Sequence, residues 1–239
     1  MSTEHSPEQN LLLAVLPRAE RSRVFPHLEL VPMVPGHALY DTGGKLPYVY
    51  FPTTAVVSLL YVMIDGRTAE LAVVGSEGVV GISVFMGGES TPSRAVVQTA
   101  GYGYRLQTEL LKLEFTAPGA MLQMLLRYTQ ALIAQMAQTA DCNRRHTLDQ
   151  QLCRWLLLSL DRLPSNEFVM TQDLMAHMLG VGREAATEAA GRLQAAGLIH
   201  HSRSHIKVVD RTGVEARACE CYQVVRRETD HLLPDLVIH

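Results

Sequence analysis

Residues 171–194 read TQDLMAHMLGVGREAATEAAGRLQ, and the rest of the chain is best understood outward from them. Two short apolar-periodic stretches meet at a break over 179–182, with Ala176 four residues before Gly180. A small residue suits a close helix crossing, and glycine suits a turn that needs φ > 0. The spacing predicts two helices joined by a tight turn, the second starting at Gly182 or Arg183. Thr171 is placed to cap the first helix through its hydroxyl, and that helix N-terminus together with Gln172 suits a phosphate. Arg183 and Glu184 open the second helix, the end that meets base edges when such a helix lies in a major groove. An arginine there can donate twice to guanine O6 and N7, and a glutamate can accept from cytosine N4.

Downstream, LIHHSRSHIKVV (198–209) reads as two short strands around a turn at 202–204, the pattern of a wing. Arg192, His200, His201, Arg203, His205 and Lys207 give this region local positive charge for phosphates, the histidines only at lower pH. Asp210 then caps a last helix with Val214, Ala218, Cys221, Tyr222 and Val225 on one face, and Pro234 ends regular structure.

Upstream lies an amphipathic helix over 148–163 carrying the only tryptophan, Trp155, followed by a loop over 163–167. The polar run DCNRRHT (141–147) reads as a hinge. Before it, 121–143 places Leu122, Leu125, Leu126, Thr129, Leu132, Ile133, Met136 and Thr139 or Ala140 near a 3–4 alternation, a helix of roughly 30 Å. Arg127 is the only formal charge between Met121 and Ala140. A helix so poor in charge is expected to bury more than one side, which favours a dimer seam over a purely internal core helix.

The N-terminal half changes period. Pro7 to Phe25 reads as short helices, with a restart at Pro17. Strands are then expected over 28–34, 37–40, 48–52, 55–63, 68–74, 79–84, 94–99 and 101–107, with turns at Pro35–Gly36, 42–44, Asp65–Gly66 and Gly87–Gly88. Asp65–Gly66 is the clearest hairpin signal and reads as a solvent-facing turn. Eight short strands in about eighty residues predict a closed antiparallel barrel or jelly roll, making the chain α+β. The expected division is a β-rich domain over 1–120, a dimerisation helix and hinge over 121–143, and a winged helix-turn-helix domain with a C-terminal helix over 144–239.

The 239 residues are 47% hydrophobic and 19% charged with a formal charge of -3, ordinary globular values, so any nucleic-acid binding must come from a local surface. The N-terminus shows no signal-peptide pattern and the apolar runs are too short to span a bilayer, so a cytoplasmic protein without a membrane partner is expected. The four cysteines (Cys142, Cys153, Cys219, Cys221) form no CxxC pair. They read as reduced thiols; Cys219-x-Cys221 could bind metal, but nothing nearby completes a ligand set, so they read as ordinary helix residues and no metal site is expected.

A β-roll, a long apolar helix, a hinge and a winged helix in this order resemble the Crp/Fnr family of bacterial transcription regulators. The resemblance covers about residues 20 to 210. VPGHALYDTGG (34–44) is similar to the family's PG…G strand–turn start, and GSEGVVGISVFMGGESTPSRAVVQTAG (75–101) to its effector-binding cassette. The resemblance implies a homodimer that reads palindromic double-stranded DNA, with RNA polymerase as a further partner. The DNA-binding positions it implies are Thr171, Gln172, Arg183, Glu184, Thr187, Glu188, Arg192, Arg203 and Lys207. A family arginine one turn beyond the glutamate is Glu188 here, so the half-site is expected to differ from that of the best-known member.

The cassette departs from the cyclic-AMP-binding pattern. Gly81 is followed by Ile82 where those members carry a glutamate for the ribose, and the later pair reads Ser93–Arg94 instead of Arg–Ser. An isoleucine accepts no hydrogen bond, and an unpaired buried hydroxyl costs about 1–3 kcal/mol. The family's purine-contacting Thr–Ser pair falls near Met136–Ala137, leaving Gln135 and Thr139 as polar replacements. The effector region is therefore expected at Gly81, Ile82, Ser93, Arg94, Gln135 and Thr139, for a small molecule or nucleotide other than cyclic AMP. A cyclic dinucleotide at a dimer seam stays open. Arg94 either holds a phosphate or pairs with Glu77 or Glu89. Iron–sulfur members need an N-terminal cysteine cluster, absent here, and His27 or His37 would serve as haem ligand only in principle. A β-roll enzyme lacks closely spaced ligands, so no enzyme activity is expected. The competing reading is a ligand-responsive protein-interaction module without sequence-specific DNA binding.

Overall fold

The computed structural model describes residues 5–88, 90–116, 119–202 and 205–235. A 3-10 turn, Pro7–Gln9, leads into α1 (Leu11–Ala14) and α2 (Arg18–Val24). Asn10 anchors this segment. Its Oδ1 accepts from the Leu13 N–H, and its Nδ2 donates to the Pro52 and Gly78 carbonyls at 2.8 and 2.9 Å.

Among the described residues, seven strands build the roll: β1 (Glu29–Met33), β2 (Ala38–Tyr40), β3 (Tyr48–Pro52), β4 (Val56–Val62), β5 (Thr68–Val74), β6 (Ser93–Thr99) and β7 (Gly101–Gln107). They form two antiparallel sheets, ordered β1-β7-β3 and β2-β6-β4-β5. The strand expected over 79–84 does not form. Val80 makes a single bridge to Tyr50, Gly81 takes φ +106, and Ile82–Val84 coil into a 3-10 turn. Glycine's access to that left-handed region turns the chain away after one pair.

The four-stranded sheet is buried on both faces. Val57, Leu59, Ala72, Val74, Ala95 and Val97 fill the roll interior. The alternate residues Val56, Leu60, Val73 and Val96 join a second core built with the C-terminal half. Double burial explains why these strands read as continuous apolar runs rather than as clean alternation.

After α3 (Thr108–Thr116), the long helix α4 (Ala120–Arg145) begins under the carboxylate of Glu20, which accepts from the Ala120 and Met121 N–H groups at 2.9 and 3.0 Å. A carboxylate satisfies these terminal donors and complements the helix dipole. The expected hinge over 141–147 is corrected: α4 runs through Arg145, and only His146 and Thr147 break the helix before α5 (Leu148–Leu160). Polar residues continue it because they line its outer side, where Asp141 and Arg145 pair at 2.6 Å, while Cys142 is buried.

The remaining elements are β8 (Glu167–Val169), α6 (Gln172–Leu179), α7 (Arg183–Ala195), β9 (Ile199–His201), β10 (His205–Val208), α8 (Arg211–Arg217) and α9 (Cys221–Leu232). The wing sheet is ordered β8-β10-β9, so the loop before α6 contributes a strand that the sequence did not announce. In the final helix, α9 packs along α4, and Leu232 and Leu233 reach the core of the roll.

Candidate nucleic-acid interface and effector region

Local sequence sets the helix-turn-helix. The Thr171 hydroxyl accepts from the Leu174 N–H at 3.1 Å, capping α6. Gly180 ends α6 at φ +67, a conformation that disfavours other residues, and an added Cβ would lie 3.3 Å from that of Ala69 in β5. Val181 N–H bonds back to the Ala176 carbonyl at 3.1 Å. Ala186, Ala189 and Ala190 of α7 are fully buried with Leu193, so the alanine-rich sequence draws α7 close against α5 and α6.

This packing leaves Arg183, Glu184 and Glu188 exposed on one side of α7, with Thr187 half-buried between them. Arg183 Nε and Nη2 donate to Gln172 Oε1 at 3.2 and 3.1 Å, and its guanidinium lies 3.5 Å from Asp173. The side chain is thus held at the N-terminal ends of both helices, yet is 63% exposed. Thr187 donates back to the Arg183 carbonyl. Arg192 is not free: Asp149 of α5 binds it at 2.6 Å, and Glu188 lies 3.9 Å away. Lys207 is exposed on β10, opposite Glu167 and His200 in the wing. Arg203 lies outside the described residues. Burial and the neighbouring His200 make His201 harder to protonate than an ordinary histidine.

The Asp65–Gly66 turn is solvent-facing, but the strand it starts is not. Thr68 Oγ1 donates to the His177 carbonyl at 3.5 Å, and a groove of about 450 Å³ runs between residues 65–68 and the 176–182 turn between α6 and α7.

The residues expected for an effector face different neighbours. Arg94 pairs with Asp41 at 2.8 Å on the roll surface. Glu77, one of its two expected partners, is instead bound by Arg162 at 2.7 Å; Glu89, the other, lies outside the described residues. Ser93 meets Thr91 at 2.8 Å. Gly81 and Ile82 form the turn described above, with Gly81 against Val49 and Leu46. Gln135 and Thr139 are buried on α4: Gln135 donates to the Val73 carbonyl at 3.5 Å, and Thr139 accepts from Arg154 of α5 at 3.1 Å. The space beside Gln135 is about 10 Å³, room for at most a water. A roomier cleft of about 360 Å³, with Lys45, Tyr48, Glu109 and Lys112 on its walls, opens elsewhere on the roll. His27 and His37 are both exposed.

Between the roll and α5 runs a polar seam that sequence reasoning missed. Ser58 donates to Gln98, and Gln98 to Ser159, both at 3.0 Å. Burial pushes the neighbouring Glu70 carboxyl up to about 7, against the pull of Ser58, Trp155, Arg154 and Arg162.

The expectation that nothing nearby completes a ligand set around Cys219 and Cys221 is corrected: Cys142 in the last turn of α4 and His146 just after it meet them, and the four potential ligand atoms lie within 4.8 Å of one another. The contacting pairs are 75 and 77 residues apart in the chain, beyond the reach of any local spacing rule.

Residues 150–217 match the family of the Crp-like helix-turn-helix domain. None of the curated proteins matches the chain. Among solved structures, a Crp/Fnr-family protein from Eubacterium rectale aligns with TM-score 0.70 at 16% identity, over 88% of this chain and 98% of its own. FixK2 from Bradyrhizobium japonicum aligns with TM-score 0.66 at 17% identity, over 80% and 98%. CLP from Xanthomonas campestris, a c-di-GMP-responsive global regulator, aligns with TM-score 0.63 at 17% identity, over 80% and 99%. At these identities the likeness is one of fold.

Proposed function

Starting from a Crp-like helix-turn-helix domain set in the Crp/Fnr fold, we propose that the protein is a homodimeric transcription regulator. It reads a palindromic site in double-stranded DNA, and its β-roll responds to a small molecule. The observation that carries this reading is the solvent-exposed Arg183–Glu184 pair opening α7, with Arg183 steered by Gln172 and the wing beside it. Thr171 and Gln172 at the start of α6, with Lys207 of the wing and with Arg203, supply phosphate contacts; Thr187 and Glu188 line the base-facing side. In a dimer, two α7 helices would address half-sites about 34 Å apart. Arg192 joins them only by leaving Asp149.

The effector is proposed not to be cyclic AMP. Ile82 offers no acceptor for a ribose hydroxyl, and Arg94 is already paired with Asp41. An effector reaching Gln135 and Thr139 must also loosen their packing against β5 and α5, which would transmit occupancy to the reader domain.

Selection of bound duplexes from a random pool, followed by fluorescence anisotropy, tests the reading. A palindromic consensus is expected, and Arg183→Ala should weaken its binding by about 1–3 kcal/mol while relaxing one position in each half-site. Lys207→Ala should weaken all sequences alike and flatten the salt dependence. No enrichment, or binding that ignores salt, would sink the proposal.

A further inference from the structure

The last turn of α4, the two-residue break after it and the start of α9 converge on three thiols and an imidazole. Cys142 Sγ lies 3.4 Å from Cys219 Sγ, and Cys221 Sγ lies 3.5 Å from His146 Nδ1. All four ligand atoms fall within 4.8 Å of one another. A tetrahedral zinc ion has bonds of about 2.3 Å to sulfur and 2.0–2.1 Å to nitrogen, which sets its ligand atoms about 3.8 Å (S to S) and about 3.6 Å (S to N) apart. The observed spacing needs only small adjustments to match. An iron–sulfur cluster spreads its thiolates around several irons and suits so compact a set poorly.

The surroundings match as well. The three cysteines are buried and form a small core of their own. His146 presents Nδ1 to the thiols while its Nε2 faces Glu220 Oε1 at 3.5 Å, the carboxylate–histidine arrangement that orients a ligand ring. Gln138 Nε2 donates to Cys221 Sγ at 3.1 Å, a contact that favours thiolate. A disulfide between Cys142 and Cys219 would use two of these groups and leave the aim of the other two, and of Glu220, without a purpose.

We infer that Cys142, His146, Cys219 and Cys221 bind one tetrahedral divalent ion of the zinc class, with Glu220 orienting His146. Three protein thiolates and a neutral imidazole close the coordination shell, the pattern of a structural site, not a catalytic one. Binding releases the thiol protons to solvent and involves no change of oxidation state. The ion would fasten the end of α4 to the α8–α9 junction across the His146–Thr147 break, fixing how the reader domain sits on the long helix.

Elemental analysis of the full chain, expressed with zinc supplied and purified under reducing conditions, tests this. One zinc per chain is expected, as are the visible absorption bands of tetrahedral thiolate-bound cobalt when Co(II) replaces it. Cys219→Ser and Cys221→Ser should each abolish stoichiometric uptake. Because those variants could misfold, Glu220→Gln provides the second arm, keeping one zinc per chain but weakening it about 10–100-fold in chelator competition. Metal-free reduced protein that takes up neither ion would overturn the inference. So would iron with acid-labile sulfide, or a Cys142–Cys219 disulfide in the purified chain that excludes metal.

Discussion

Glu70 illustrates what one buried residue can do to the whole chain. It sits in β5 within TAELAVV, and its carboxylate faces α5 beside Trp155 and Arg154, out of reach of solvent. Burial raises its pKa from the ordinary 4.5 to about 7. Between those values the folded protein binds more protons there than the unfolded chain does. Stability from this site is therefore complete below about pH 4.5 and declines as the pH rises through about 7. The span corresponds to no more than about 3 kcal/mol. Thermal unfolding followed from pH 5 to 8 should show the decline, and Glu70→Gln should flatten it. An unchanged pH profile in Glu70→Gln would show that the carboxyl ionises freely in the folded state. Residues with local jobs were legible in the sequence: Thr171 as a cap, Gly180 as a left-handed turn, Arg183 as the first residue of the second helix. Glu70 and the Cys142–His146–Cys219–Cys221 cluster were not, because their character depends on which distant element covers them.

At the scale of an element, α4 separates into two sides. Leu125, Tyr128, Leu132 and Thr139 are buried within the chain, whereas Leu126 and Ile133 are 53% and 51% exposed, with Ala137 and Ala140 following on the same side. The spacing over 126, 133, 137 and 140 keeps a seam along one stripe, as two-helix packing requires. The alternation in the sequence revealed a helix with two apolar sides but could not assign residues to them; Leu125 and Leu132 lie inward, and the outer stripe is narrower than the sequence implied. If this stripe pairs with its copy, Ile133→Glu places like charges face to face in an apolar seam. Sedimentation should then show monomers at concentrations where the parent chain is dimeric, with α4 still helical. A variant that sediments with the parent would remove α4 from the dimer contact and weaken the two-half-site reading of DNA.

For the whole molecule, the decisive feature is that the β2-β6-β4-β5 sheet serves two cores at once. Its inner face closes the roll, and its outer face is the floor on which α5 and the helix-turn-helix region rest. Strand, turn and helix positions were largely readable, but not this docking, because continuous apolar strands state only that both faces are covered. Where the two cores meet, Glu77 accepts from the Gly75 N–H at 3.1–3.2 Å and from Arg162 Nε at 2.7 Å, while Arg162 Nη1 donates to the Leu158 carbonyl at 2.6 Å. Both side chains are under a tenth exposed. Such a pair contributes little relative to an apolar contact, yet it penalises separation, since either charge left alone in the interface is costly. Arg162→Met should therefore destabilise the chain by about 3–5 kcal/mol in urea unfolding. Adding Glu77→Gln should recover part of that loss, with a coupling of about 1 kcal/mol or more. A cost near that of a surface pair, under about 1 kcal/mol, would mean that the roll and the C-terminal half part easily. A large coupling would instead mean that moving the C-terminal half off the roll requires these two charges to be rehydrated together, making the Glu77–Arg162 pair a barrier that any effector acting through α4 and α5 must overcome.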